Sequence, residues 1–237
     1  MSAPVPSSAD LALLTAGWSA ATIGLYGVAK FVYRRMPRWW SSPLALTPVL
    51  VIALVLALHA NYGDYIEGTH WLLALLGPVV VAFAVPIYEE RALIGRHWPV
   101  LAAGVLAGSI TAMGTAWLFA TLLGLDDTLR LSLLPRSMST PFAMTVSGDI
   151  GGVPNLTAVF VVITGVFGAA FGEVLLARLP LTTTLARGAL FGMGAHGAGV
   201  AKAHEIGSEE GSVAGLVMVL VGLVNVLAAP LLAHLLR

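Results

Sequence analysis

Two stretches decide the fold: Pro135-Arg-Ser-Met-Ser-Thr-Pro141 and Gly192-Met-Gly-Ala-His-Gly-Ala-Gly199. Each interrupts an apolar segment, Leu129 to Val146 and Leu185 to Ala203, that would otherwise suit a membrane helix. Proline removes a backbone donor, and each glycine inside a helix costs about 1 kcal/mol, so neither segment can be an unbroken helix. In hydrocarbon, irregular backbone survives only where protein or a watery cavity satisfies its polar groups. A functional site is therefore expected at these two breaks.

The rest of the chain supplies the solvent for that argument. Of its 237 residues 58% are hydrophobic and only 10% charged, with a mean hydropathy of +0.90, where globular chains carry about 25% charged residues. Apolar stretches near the roughly 20 residues of a membrane-crossing helix run from Leu11 to Val32, Pro43 to Ala60, Trp71 to Tyr88, Trp98 to Leu125, Leu156 to Ala177 and Val213 to Leu236. The expected fold is all-α, a polytopic transmembrane helical bundle with two discontinuous segments, broken or re-entrant. It forms a single integral membrane domain over 1–237: two N-terminal spans in 1–67, spans three and four in 68–125, and two related units in 126–180 and 182–237. The first ten residues are polar without a cation, and the apolar stretch after them is too long for a signal-peptide core, so it is expected to be retained as a span.

Several function classes drop out. Zero net charge without a basic run gives nucleic acid no electrostatic footprint. Without cysteine there is no disulfide framework and no thiolate chemistry. The histidines lack metal-ligand spacing with acids, no serine has a convincing base, and no phosphate-binding glycine loop carries a lysine. No metal, no cofactor and no enzymatic activity are expected.

Shifting the chain by 56 residues lays Thr128-Leu129 on Thr184-Leu185, Ser139-Thr-Pro141 on Ala195-His-Gly197 and Asp149-Ile-Gly151 on Glu205-Ile-Gly207. An internal repeat is one reading and compositional similarity of membrane segments the other; transporters are the usual owners of such repeats. Lys30, Arg34, Arg35 and Arg38 mark a cytoplasmic loop, which puts the amino terminus outside. Beyond Asp126 and Asp127 the charge rule leaves two topologies open. If Leu129 to Val146 re-enters, the loop with Arg178 and Arg187 is cytoplasmic and the repeats are inverted; if it spans, they are parallel.

Ionisable groups at membrane depth are functional hypotheses by default. Arg136 in the first break has a guanidinium fork suited to a carboxylate, and helix amino termini at a break add aligned N–H donors. Lys202 raises the same question beside the second break, with snorkelling to water as its alternative. Ser137, Ser139 and Thr140 offer hydroxyls to a substrate or to freed carbonyls. His196, set among residues too small to cover it, can bind substrate, carry a proton or make a structural hydrogen bond. Asp149 and Glu205 follow the breaks at corresponding places and are candidates for gating or coupling. Glu173 and Asn225, inside full spans, need polar neighbours.

The chain resembles the LrgB/CidB membrane proteins, which include YohK-like proteins and the carboxy-terminal half of the plastid glycolate/glycerate transporter. The likeness rests on Leu75-Leu-Gly-Pro-Val-Val-Val-Ala-Phe-Ala-Val-Pro-Ile-Tyr88, Leu134-Pro-Arg-Ser-Met-Ser-Thr-Pro-Phe-Ala-Met144, Ile150-Gly-Gly-Val-Pro-Asn-Leu-Thr-Ala-Val-Phe160 and Ala195-His-Gly-Ala-Gly-Val-Ala-Lys-Ala203. The resemblance implies a substrate site on Arg136, Ser137, Ser139, Thr140, Pro141, His196, Gly197 and Lys202, with Asn155 joining Asp149 and Glu205 as coupling or gating candidates. It departs from the family pattern at Met138, Gly148, Ala195 and Val200, where valine, glutamate, serine and threonine are usual. Two roles are implied. Bacterial members are described as holin- or antiholin-like modulators of murein hydrolase export and lysis, working with a small LrgA/CidA-type membrane partner. The plastid relative moves glycolate and glycerate, and some bacterial systems are linked to pyruvate. Duplicated, unwound, cationic segments favour transport of small monocarboxylates. A multi-pass protein of the bacterial inner membrane, homo-oligomeric, with lipid and a carboxylate as its small partners, is the expectation.

Overall fold

The computed structural model describes residues 8–235. The polar start of the chain at residues 1–7 and the expected end of the last span at Leu236 lie outside them. Among the described residues there is no strand, and the all-α reading holds. Two compact units form, residues 1–78 and 79–237.

The first unit holds α1 (Ser8–Arg35), α2 (Pro43–Ala57) and α3 (Tyr62–Ala74), and the unit boundary falls inside the short helix α4 (Leu76–Ala82). Helix α3 starts well before the expected Trp71, over a polar stretch that reads as a loop. Its hold on α1 explains this: Trp71 Nε1 donates to Ser19 Oγ at 2.7 Å, Ser19 Oγ donates to the Gly68 carbonyl at 3.1 Å, and Trp18 meets Tyr65 edge-on at 5.5 Å. Packing has overridden propensity there.

The second unit begins with α5 (Ala84–Glu89) and the long α6 (Arg91–Leu122). Helix α6 starts before the expected Trp98 and kinks at His97, where φ is −119° and ψ 16°, because Pro99 withholds a backbone donor. Then come α7 (Asp127–Leu133), a 3₁₀ turn (Leu134–Ser137), α8 (Thr140–Ile150), α9 (Pro154–Arg178), α10 (Thr184–Ile206) and α11 (Ser208–Leu235).

The first break is where the prolines and serines put it. Met138 and Ser139 are extended, with ψ of 168° and 146°, and α8 starts behind Ser139 with a proline in its first turn. The chain folds back there. The Thr157 hydroxyl on α9 lies 2.8 Å from the Ser132 carbonyl oxygen and 2.7 Å from the Ser147 hydroxyl, so residues on opposite arms of the break reach one point on α9. Ser132 Oγ in turn accepts from the Val153 N–H at 2.8 Å. All three clamp residues are fully buried. Thr157→Val keeps the shape but strips the clamp of its hydroxyl, and it is expected to cost about 1–3 kcal/mol through the partners left unsatisfied. Thermal unfolding in detergent reads that loss.

The second break lies at His196, whose φ of 37° and ψ of −122° are outside any helix. Here too the chain reverses. Gly199 packs so closely on the Phe191 carbonyl that a Cβ would overlap it, although in a straight helix the two would stand about 12 Å apart along the axis. On α11, Gly192 from one arm meets the Ala214 backbone, while Val200 from the other arm meets Gly215 next door. Both segments are thus helical hairpins, each folded back on itself at its break.

Their placement follows from α9. The arms of the first hairpin reach Thr157 near its start, whereas the second hairpin reaches Glu173 near its end through Lys202. The tip residue His196 packs against Gly165, with the ring Cε1 3.1 Å from where a Cβ would stand. The hairpins therefore approach from opposite ends of α9 and end half-way along it. Thr183 and Leu185 at the start of α10 line one groove with Val100 and Leu101 near the start of α6, so Arg178 and Arg187 lie towards the end of α6 that carries Arg91 and Arg96. The outward surfaces are apolar: Ile110 is 71% exposed and Leu227 80%. Among the described residues five helical stretches are long and apolar enough to cross a bilayer, and the shorter α2 is apolar as well.

Candidate functional site

The two tips meet. The His196 ring stands beside the backbone of Arg136, and the 3₁₀ turn of the first break packs on α10, which brings the second break to the first. His196 is 3% exposed, and its Nε2 has no partner. Ser139, 6% exposed at the start of α8, likewise has a hydroxyl without a partner. A buried polar atom left unpaired costs about 1–3 kcal/mol, so two of them at one tip contact point to a group that the site is built to receive.

Backbone adds to the same polarity. Helix α8 begins at the first tip and the second arm of α10 begins at Gly197, so two helix amino termini start where the hairpins end. Their first N–H groups have no carbonyl within the helix and favour an anion. The half-buried Arg136 carries the charge: it forms no ion pair among the described residues, each acid partner there belonging to another base.

Next to the first tip lies a small cavity where Ser109, Ser137 and Asn225 meet apolar residues, Leu134, Met138 and Met193 among them, with room for about one water molecule. Asn225 Nδ2 donates to Ser109 Oγ at 2.8 Å and to the Val221 carbonyl at 2.7 Å, leaving its own amide oxygen free of that pair. Asn225 thereby finds the polar neighbours its place inside a span requires. Ser109 and Met193 are the residues that sequence reasoning missed. Neither carried a signal, since a serine in an apolar helix and a methionine between glycines are both commonplace.

The structure thus gathers Arg136, Ser137, Ser139, Thr140, Pro141, His196 and Gly197 at the tips. Lys202 is elsewhere. It lies between Glu173 on α9 and Glu205 on its own helix, 2.8 Å from the latter, so its charge is spent on two carboxylates. Glu173 is explained by the same pair. Asp149, Asn155 and Glu205 are exposed at the bases of the hairpins, away from the tips. A single cation, two amino termini, a histidine and hydroxyls make an arrangement whose chemistry suits an anion with further oxygen atoms.

Comparison with known proteins fits these features. The profile of the LrgB-like family matches residues 22–235, which takes in both hairpins. The chain belongs to the LrgB-like family. Relatives of this LrgB-like protein in Bacillus subtilis (strain 168) include "Uncharacterized protein YwbG", 38% identical over 211 residues that cover 89% of this chain and 94% of that protein. "Uncharacterized protein YxaC" is 34% identical over 90% of this chain and 93% of its own. "Antiholin-like protein LrgB" is 30% identical with the same coverage, 90% and 93%. No solved structure matches the chain. With its apolar helices, this LrgB-like chain is a multi-pass membrane protein.

Proposed function

We propose that this LrgB-like protein carries small monocarboxylates of the glycolate, glycerate or pyruvate kind across the bacterial inner membrane. One observation carries the reading: two re-entrant tips join half-way along α9 with an unpaired arginine and two orphaned polar atoms beside them. In this reading Arg136 takes the carboxylate with the amino termini of the two second arms, and Ser139, Thr140 and His196 hold its remaining oxygens. Residues 126–180 and 182–237 act as inverted halves, and rocking one against the rest exposes the site to each side in turn. The work is binding and release, with no bond made or broken. A small LrgA/CidA-type membrane partner and self-association belong to the same proposal.

The name of the 30% identical relative supports a second reading, an antiholin-like modulator of murein hydrolase activity and lysis. Purified protein in proteoliposomes, with and without an LrgA-type partner, separates the two. Saturable uptake of labelled glycolate, glycerate, lactate or pyruvate is expected. Absence of uptake of all four in both preparations overturns the transport reading in favour of lysis control.

A further inference from the structure

An apolar groove of about 520 Å³ runs along α6 and the first arm of α10, lined by Leu101, Gly104, Leu185, Ala189, Met193 and Val217 among others. It leads towards the small cavity beside the first tip. Along α6 the lining passes from Val105 in the groove to Ser109 in the cavity, and along α11 from Val217 to Val221, one turn on in each case. Met193 alone lines both. Its thioether lies against Gly108, the α6 residue at the junction, where a Cβ would stand 2.7 Å from both Sδ and Cε. A single unbranched, rotatable side chain thus stands at the wall that a large apolar space and a cavity the size of one water molecule have in common.

We propose that Met193 sets the chain length this protein accepts: it confines the carboxylate site to two- and three-carbon acids, and its removal opens the groove to an alkyl tail. The inference rests on the transport reading. With the carboxylate held at the tips, the groove is an apolar space that the tail of a longer acid could fill, and Met193 stands between the two. The groove wall is mostly apolar, with Thr183 at one end, so it suits methylenes far better than a second polar group.

The test is competition uptake in proteoliposomes with the full chain. Met193→Ala is expected to raise the rate for butyrate and hexanoate relative to glycolate by about tenfold, the order that single methylenes command in apolar pockets. Because the chain has no cysteine, Met193→Cys supplies a second arm that is reversible. Methyl methanethiosulfonate converts its thiol to the mixed disulfide Cys–S–S–CH₃, releasing methanesulfinate and restoring a side chain of methionine's length. The cysteine variant should accept longer acids before treatment and reject them after it, and reductant should reverse the change. Transport of glycolate with an unchanged chain-length ratio in both variants overturns the inference alone. If the unsubstituted protein moves no carboxylate, the transport reading falls and the inference with it.

Discussion

Arg136→Gln is expected to lower carboxylate uptake by about 100-fold while the protein still runs as a single species on size exclusion. Removing one partner from a desolvated, hydrogen-bonded charge pair costs roughly 2–5 kcal/mol, and each 1.4 kcal/mol is a factor of ten. Among the described residues the guanidinium has no acid of its own to leave behind, so glutamine creates no orphaned carboxylate there and the fold should tolerate it. Arg136→Lys keeps the charge but not the fork, and should lose less than the glutamine variant. Initial rates against substrate concentration measure both. Unchanged kinetics for Arg136→Gln would remove this residue from the site and leave Lys202, already held by Glu173 and Glu205, as the weaker alternative.

The second large effect concerns His196, where ring and backbone can be tested apart. Both His196→Ala and His196→Gly delete the ring, and both should cut uptake at least tenfold by removing the unpartnered Nε2. Their stabilities should differ in an unusual order. In a helix interior glycine is about 1 kcal/mol worse than alanine. At a φ of 37° alanine carries the penalty of a side chain in the left-handed half of the map, about 1–2 kcal/mol, which glycine avoids. His196→Gly is therefore expected to unfold at a higher temperature than His196→Ala. The opposite order would mean that α10 runs straight through His196, and the meeting of the tips would go with it.

What could be read from the amino-acid order was the position of each break, and the reason is local. Pro135, Pro141 and the glycines around His196 deny a helix its donors or its stiffness wherever they are placed. The all-α class was legible for the same kind of reason, since few structures satisfy backbone in hydrocarbon. The folding back of each hairpin was not legible, because it depends on Ser132 and Ser147 finding Thr157, and on Gly199 finding Phe191. Such contacts join residues whose spacing carries no period. Lys202 illustrates the limit for single side chains. A lysine beside a break reads as a ligand until its partner is known, and that partner, Glu173, stands on another helix as an acid with no evident purpose of its own. Asn225 and Ser109 form the matching neutral case. The early start of α3 was hidden by Asn61, Gly63, Asp64 and Glu67, which look like loop residues until Ser19 and Trp71 join.

A hairpin with both ends on one side can do something that a through-going rod cannot. Shifting a rod along its axis by one turn drags the charges of one end into lipid, at about 2.5–3.5 kcal/mol for each. Withdrawing the first hairpin carries Asp126, Asp127, Arg130 and Asp149 outward into water together, and no polar loop has to enter the oily layer. Sliding is then opposed by the contacts along the arms, the Thr157 clamp among them, and by those at the tip, and not by charges drawn into lipid.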